Sequence, residues 1–300
     1  MFLQRRARFA YFLVLPSLAV ITLLDILPII ESVVVSLQNQ NMGRSNPEAF
    51  VGFAHYSRAL FEEPTFWTSL WKTVIWTAFS VAGAYLVALG LALLLNMDIW
   101  GRTLFRALFL VPWVIPDVAT ALLWKWLYGD EFGVINFLLT KVGIINKPVL
   151  WLSDPLMAMP AVVLVQIWKL YPVMFVVLLA ALQNVPKELT ESAVIDGAGV
   201  MQRFRFVTFP FIKATSIILT LLASIWTFQA FDIVYLLTGG GPAGATKILP
   251  TLVYDKAFWG LEMGYASAIS LLMLLCLLVI SVAYLTIYRT QGLQADEARA

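Results

Sequence analysis

No charged residue interrupts the chain between Thr73 and Met97, nor between Met263 and Tyr288. A membrane-spanning helix needs about 20 mostly apolar residues, because the hydrocarbon core is roughly 30 Å thick and a helix rises about 1.5 Å per residue. Both runs exceed that length. Four more reach it if one or two ionisable residues are tolerated: 9–37 with Asp25 and Glu31, 107–128 with Asp117 and Lys125, 155–182 with Lys169, and 214–237 with Asp232. Six spans are therefore expected, at 9–37, 73–97, 107–128, 155–182, 214–237 and 263–288. None shows the two-residue alternation of a barrel strand, and backbone in lipid must satisfy its own hydrogen bonds, so the expected fold is an all-α membrane protein of one domain, 1–300. Composition agrees. Hydrophobic residues make up 61% of the 300 and charged residues 13%, against roughly 45–50% and about 25% in soluble domains. That excludes a soluble enzyme and a disordered chain. A net charge of +2 supplies no basic footprint for nucleic acid.

The first run is too long for a cleaved signal peptide, and Asp25-Ile26-Leu27-Pro28 with Glu31 does not resemble a small-residue cleavage site. It is expected to remain as a helix. Placing the N-terminus in the cytoplasm gathers Arg5, Arg6, Arg8, Arg102, Arg106 and the basic residues of segment 183–213 on the inner side, as the positive-inside rule prefers. Both termini are then cytoplasmic. Many tryptophans, among them Trp67, Trp71, Trp124, Trp126, Trp151 and Trp259, fall near expected interfaces and read as belt anchors.

Catalytic chemistry finds no footing. One cysteine, Cys276, and one histidine, His55, exclude an internal disulfide and a multi-Cys or His-cluster metal site, and no Ser/His/Asp set can form. The loop Gly239-Gly240-Gly241-Pro242-Ala243-Gly244-Ala245-Thr246-Lys247 lacks the Gly-Lys-Ser/Thr ending of a phosphate loop and falls on the outer side. No catalytic residue, metal or cofactor is expected, and any ATP hydrolysis must come from another chain.

The inner segment 184–210 is long, and most connections in compact folds run about 4–6 residues. Asn184 can cap, and Pro186 suits the start of a helix running to Ile195. Gly197 allows a sharp turn, and a second helical piece leads to Pro210. Small residues Ser192 and Ala193 on one side make a knob that a groove of another protein could receive. A plainer reading is an amphipathic lid on the inner leaflet, suited to Phe204, Phe206 and Phe209 but opposed by Glu191 and Asp196.

Glu191-Ser192-Ala193, three residues, Gly197, nine residues, then Val207-Thr208-Phe209-Pro210 resembles the signature of permease subunits of bacterial ABC importers, E-A-A, three residues, G, nine residues, I-x-L-P. The departures, Ser192, Val207 and Phe209, are mild in size. Asp196-Gly197-Ala198, Leu237 to Pro242 with Tyr254 and Ala257-Phe258, Phe50-Val51-Gly52-Phe53 with Tyr56, and Leu110-Val111-Pro112 with Trp124 are similar to the sugar branch of that family, the maltose, trehalose and glycerol-phosphate permeases. The resemblance implies a type I importer fold in a bacterial inner membrane, with lipid around it. A second homologous permease subunit would complete the pathway. Two ATPase subunits would each grip an inner-loop helix, here through Glu191, Ser192, Ala193, Asp196, Gly197 and Ala198. An extracytoplasmic solute-binding protein would deliver a carbohydrate.

Charged groups inside spans are costly, about 2.5–3.5 kcal/mol near the centre on insertion scales, and usually have a partner or a role. Lys169 and Asp232 are expected to pair directly or to line the pathway. By resemblance to the maltose permease, Gln166, Lys169, Leu170 and Val173 on the fourth span and Ala223, Thr227 and Ala230 on the fifth occupy sugar-contact positions. Sugar recognition uses planar polar groups and aromatic faces, so Gln166, Trp168, Lys169, Tyr171, Trp226, Thr227, Gln229 and Asp232 are the pathway candidates. A free Lys169 would suit an anionic sugar derivative. Asp117 sits where Pro112 and Pro116 distort the third span, and either satisfies freed backbone groups or meets the partner permease. The competing function is an ion-coupled secondary carrier, which would need coupling acids within its spans and a second homologous half.

Overall fold

The computed structural model describes residues 14–41 and 49–297, with side chains as far as residue 287. The expected basic residues Arg5, Arg6, Arg8, Arg44 and Arg299, and the first residues of the 9–37 run, lie outside the described residues. Helices dominate, and among the described residues the only β pairing is two isolated bridges, Gln38 with Phe50 and Asn41 with Glu262. Among the described residues, five helices are long and apolar enough to cross a membrane. They are α1 (Val14–Ser36), α3 (Pro64–Asn96), α7 (Pro155–Gln183), α9 (Val200–Phe228) and the first part of α12 (Met263–Glu297). Between them lie α2 (Ala54–Ser57), α4 (Arg102–Val114), α5 (Asp117–Leu127), α6 (Val134–Lys141), α8 (Lys187–Ile195), α10 (Asp232–Thr238) and α11 (Leu249–Tyr254).

Two expected spans are altered. The 107–128 run is not one helix but the pair α4 and α5, bent by 97°. Ile115 precedes Pro116, whose ring disfavours the helical conformation in the residue before it, and Ile115 is extended at φ −70°, ψ 126°. Pro116 also offers no N–H to continue the ladder. The 214–237 run begins earlier, at Val200, and its helix stops at Phe228; α10 follows as a separate short helix. The described residues fall into two compact units, one within 1–67 and 252–275 and the other within 68–251 and 276–300.

In the first unit the apolar residues of α1 are largely uncovered, Leu24 by 70%, which suits a helix facing lipid. The remainder is tied by an ionic cluster outside the spans. Glu63 accepts from Arg58, from Lys256 Nζ at 3.1 Å and from Tyr265 Oη at 3.0 Å. Arg58 also reaches Glu262 at 3.1 Å and lies 4.1 Å from the centroid of the Tyr265 ring. Burial opposes ionisation of Glu63, yet the hydrogen bonds from Arg58, Lys256 and Tyr265 outweigh it and hold its carboxyl below the usual range. His55 Nε2 sits 3.1 Å from the Gln38 carbonyl.

In the second unit Ala84, Ala88 and Ala92 of α3 are fully buried at four-residue intervals. Such small side chains let helix backbones approach closely. They share a cluster with Met174, Phe175 and Leu178 of α7 and Ile212 and Leu219 of α9. A second cluster holds Trp76, Trp124, Tyr128, Val162, Ile233 and Val234. Trp124 is therefore core, as is Trp151, which packs against that cluster and donates to Asn136 at 2.9 Å. Trp67, Trp71, Trp126 and Trp259 are exposed. Trp76 Nε1 donates to the Thr227 carbonyl at 3.0 Å, joining α3 to the end of α9.

Candidate functional site

Lys169 lies near the middle of the 29-residue α7. Its Nζ is 3.1 Å from Asp117 Oδ1, and it donates to the carbonyls of Trp113, at 3.4 Å, and Ile115. Those carbonyls belong to the end of α4, where the proline break has removed their helical donors. One ammonium thus fills the acceptors at the corner and meets the first residue of the next helix. The expected Lys169–Asp232 pair is not formed; Asp117 is the partner. Asp117 does not serve the freed backbone itself: the lysine does that, and Asp117 balances the lysine. With three acceptors around it, Lys169 is not a free cation waiting for an anion.

Beside this corner is a cavity of about 250 Å³, at the lower edge of the roughly 300–1,000 Å³ of small-molecule sites. Gln166, Lys169, Leu170 and Val173 of α7 line it from one side. They sit at i, i+3, i+4 and i+7, a single helical face. Trp226 of α9, then Ala230, Phe231, Asp232 and Ile233 around the start of α10, line another side, and Trp113 with Asp117 closes the corner.

Of the eight pathway candidates, Gln166, Lys169, Trp226 and Asp232 meet at this cavity and the other four do not. Trp168 turns to Trp124, 5.6 Å between ring centroids in an edge-on contact. Tyr171 packs against the aliphatic cluster of α3, α7 and α9. Thr227 is fully buried, its Oγ1 without a hydrogen-bond partner. Gln229 lies in the exposed turn after α9. Of the positions suggested by resemblance, Leu170, Val173 and Ala230 join the lining and Ala223 is core. Trp113, Asp117, Phe231 and Ile233 line the cavity without being among the pathway candidates. A second cavity, about 500 Å³, includes Lys125, Asp130, Ser153 and Thr238. Its polar groups are already engaged: Lys125 donates to the Leu236 carbonyl at 3.4 Å and Ser153 to Asp130 at 2.9 Å. In the first cavity, by contrast, Gln166 is 7% exposed and its Oε1 has no partner.

The inner segment forms the expected helix–turn–helix elbow. Gly197, at φ +82°, ends α8. The Ala198 N–H donates to the Ala193 carbonyl at 2.9 Å and the Gly197 N–H to the Val194 carbonyl at 3.0 Å, the paired closure of a Schellman turn. A Cβ added at Gly197 would meet no atom within 4 Å, so the backbone dihedral alone calls for glycine. The Gly199 N–H then donates to the Gln202 side-chain oxygen at 2.8 Å, at the start of α9. Glu191, Ser192, Asp196 and Gly197 are exposed, Ala193 and Ala198 half-buried. Around the turn Ile195, Val200 and Met201 are exposed by 86%, 75% and 74%. This is a firm turn presenting exposed apolar side chains at the end of α8 and the start of α9.

Residues 84–291 match the family described as binding-protein-dependent transport system inner membrane component. The chain is 36% identical over 285 residues to the trehalose/maltose transport system permease of Thermococcus litoralis, covering 95% of each. It is 33% identical over 282 residues to the sulfoquinovosyl glycerol transport system permease of Agrobacterium fabrum, covering 94% of this chain and 91% of that one. Among solved structures, a bacterial ABC transporter involved in import of the acidic polysaccharide alginate superposes with a TM-score of 0.80 at 23% identity, over 95% of this chain and 96% of that one. That likeness concerns the fold.

Proposed function

Since the chain belongs to the family of binding-protein-dependent transport system inner membrane components, a multi-pass ABC permease and not itself an enzyme, we propose that it forms half of the route by which a bacterial importer takes up a carbohydrate. The other half is a second homologous permease subunit. The elbow of α8 and Gly197, with Glu191, Ser192, Ala193, Asp196 and Ala198, seats in a groove of an ATPase subunit, and an extracytoplasmic solute-binding protein delivers the sugar to the opposite face. The termini and the elbow lie in the cytoplasm. Gln166, Lys169, Trp226 and Asp232 stand at the sugar route, with Trp113 and Asp117 beside them.

One observation carries this reading: Ile195, Val200 and Met201 are exposed around a turn closed by its own hydrogen bonds. Exposed apolar side chains on a preformed knob suit a protein groove, since a rigid element loses little freedom on docking. The sugar assignment draws on the named transport roles of the relatives from Thermococcus and Agrobacterium. Transport then proceeds by rigid-body alternation of access around a site at mid-membrane depth. An ion-coupled carrier would draw its coupling acids from Asp25, Glu31, Asp117 and Asp232 among the described residues, and Asp117 is already paired with Lys169.

The test is the double variant Glu191→Lys with Gly197→Pro. It should insert into membrane at the wild-type level, lose co-purification of the ATPase, and lose ATP-dependent sugar uptake. Normal ATPase co-purification would remove the elbow from the coupling role.

A further inference from the structure

Charge around the cavity beside the proline corner is unbalanced. Its lining contains two carboxylates, Asp117 and Asp232, and a single ammonium, Lys169. Lys169 is fully committed to Asp117 and to the carbonyls of Trp113 and Ile115. Asp232 engages no group of the protein among the described residues. Gln166, nine-tenths buried in the same wall, has an amide oxygen with no partner. Trp113 and Trp226 are each about half exposed along the lining, by 57% and 49%.

From this arrangement, and resting on the carbohydrate reading above, we infer that the cavity accepts neutral sugars or sugars bearing an amino group and turns away uronates, sulfonates and sugar phosphates. A ligand anion placed here would find no uncommitted cation and would face Asp232. Like charges in a partly desolvated site repel strongly, and a buried charge without a partner is costly. Sugar hydroxyls have the opposite fit. They donate to a carboxylate in charge-assisted hydrogen bonds, stronger than neutral ones. The Gln166 amide takes a further hydroxyl, filling an acceptor the protein leaves empty. The indole faces of Trp113 and Trp226 cover the apolar C–H side of a ring. An ammonium on the sugar would add direct attraction to Asp232. Selectivity thus comes from the carboxylate of Asp232, with Lys169 withdrawn by Asp117.

The binding protein imposes its own selection, so the test uses the permease–ATPase complex in lipid nanodiscs without it. Saturation-transfer NMR then reads binding of glucose, maltose, glucosamine, glucuronate and glucose 6-phosphate. Glucose, maltose or glucosamine should bind, and glucuronate and glucose 6-phosphate should not. Asp232→Asn, nearly isosteric, should weaken the binding sugar roughly tenfold, equivalent to about 1.4 kcal/mol, while the ATPase still co-purifies. Gln166→Leu should weaken it as well, without admitting glucuronate. Binding of either acidic probe at least as tight as the neutral ones would overturn the inference and leave the importer assignment intact. So would an unchanged affinity in Asp232→Asn. No binding by any of the five would overturn both the inference and the carbohydrate reading, whereas loss of ATPase association would strike the coupling assignment alone.

Discussion

Lys169→Met separates two roles that one side chain holds. Its side chain is 14% exposed and its ammonium completes the acceptors of a proline break, while the side chain of its partner Asp117 is 47% exposed. Removing the ammonium leaves the Trp113 and Ile115 carbonyls without a donor, each at about 1–3 kcal/mol. Relief from burying a charge offsets part of this, so the net loss should be about 2–4 kcal/mol. Asp117→Asn breaks the same ion pair but leaves both carbonyls served. A pair this open contributes about 0–1 kcal/mol. Thermal unfolding of the purified complex in detergent, at about 2–4 °C per kcal/mol for chains of roughly this size, should show Lys169→Met lowered by roughly 5–15 °C and Asp117→Asn by a few degrees at most. If the two variants fall equally, the ion pair and not the carbonyl bonding holds the corner. If Lys169→Met is unchanged, the lysine holds nothing there.

Two further outcomes follow from local geometry. Gly197→Ala meets no steric obstacle, so its cost should be that of a left-handed backbone with a Cβ, about 1–2 kcal/mol; faster hydrogen exchange confined to 187–203, with insertion unaffected, would register it. The ionic cluster of the first unit should loosen in acid. Because the folded-state pKa of Glu63 is depressed, its contribution is complete above the unfolded carboxylate value of about 4.3 and is lost as pH falls through the lower folded value. Exchange in 54–63 and 255–265 should therefore rise in that acid window and become insensitive to it in Glu63→Gln; an unchanged acid response in Glu63→Gln would assign it to another group.

The spans are legible in the sequence because length and hydropathy alone decide what can cross lipid. The elbow is legible too, since Pro186 and Gly197 punctuate it and one αL glycine fixes the turn, although Pro210 ends no helical piece and lies within α9. The third span reads as continuous although both its prolines are visible; sequence does not tell that the helix runs through Pro112 and breaks at Pro116, nor how far the chain turns afterwards. Sequence order offers Asp117 and Asp232 alike to Lys169, since both lie on spans consecutive with its own, and the fold at Pro116 decides for Asp117. Trp168, Tyr171, Thr227 and Gln229 are candidates by residue type alone. Helical phase sorts the fourth span better, since Gln166, Lys169, Leu170 and Val173 share a face that Trp168 and Tyr171 do not. Trp124 and Trp151 fall at apparent interface depth in sequence, but depth does not tell which way an indole points.

Pro116 has no N–H to give, its ring disfavours a helical Ile115, and Lys169 occupies the Trp113 and Ile115 carbonyls at the break. Straightening the corner at the third crossing would work against both that backbone preference and the lysine's contacts. The two arms on either side of it are thus braced like a set square, and opening of the passage costs less by displacement of that whole bracket than by flattening it.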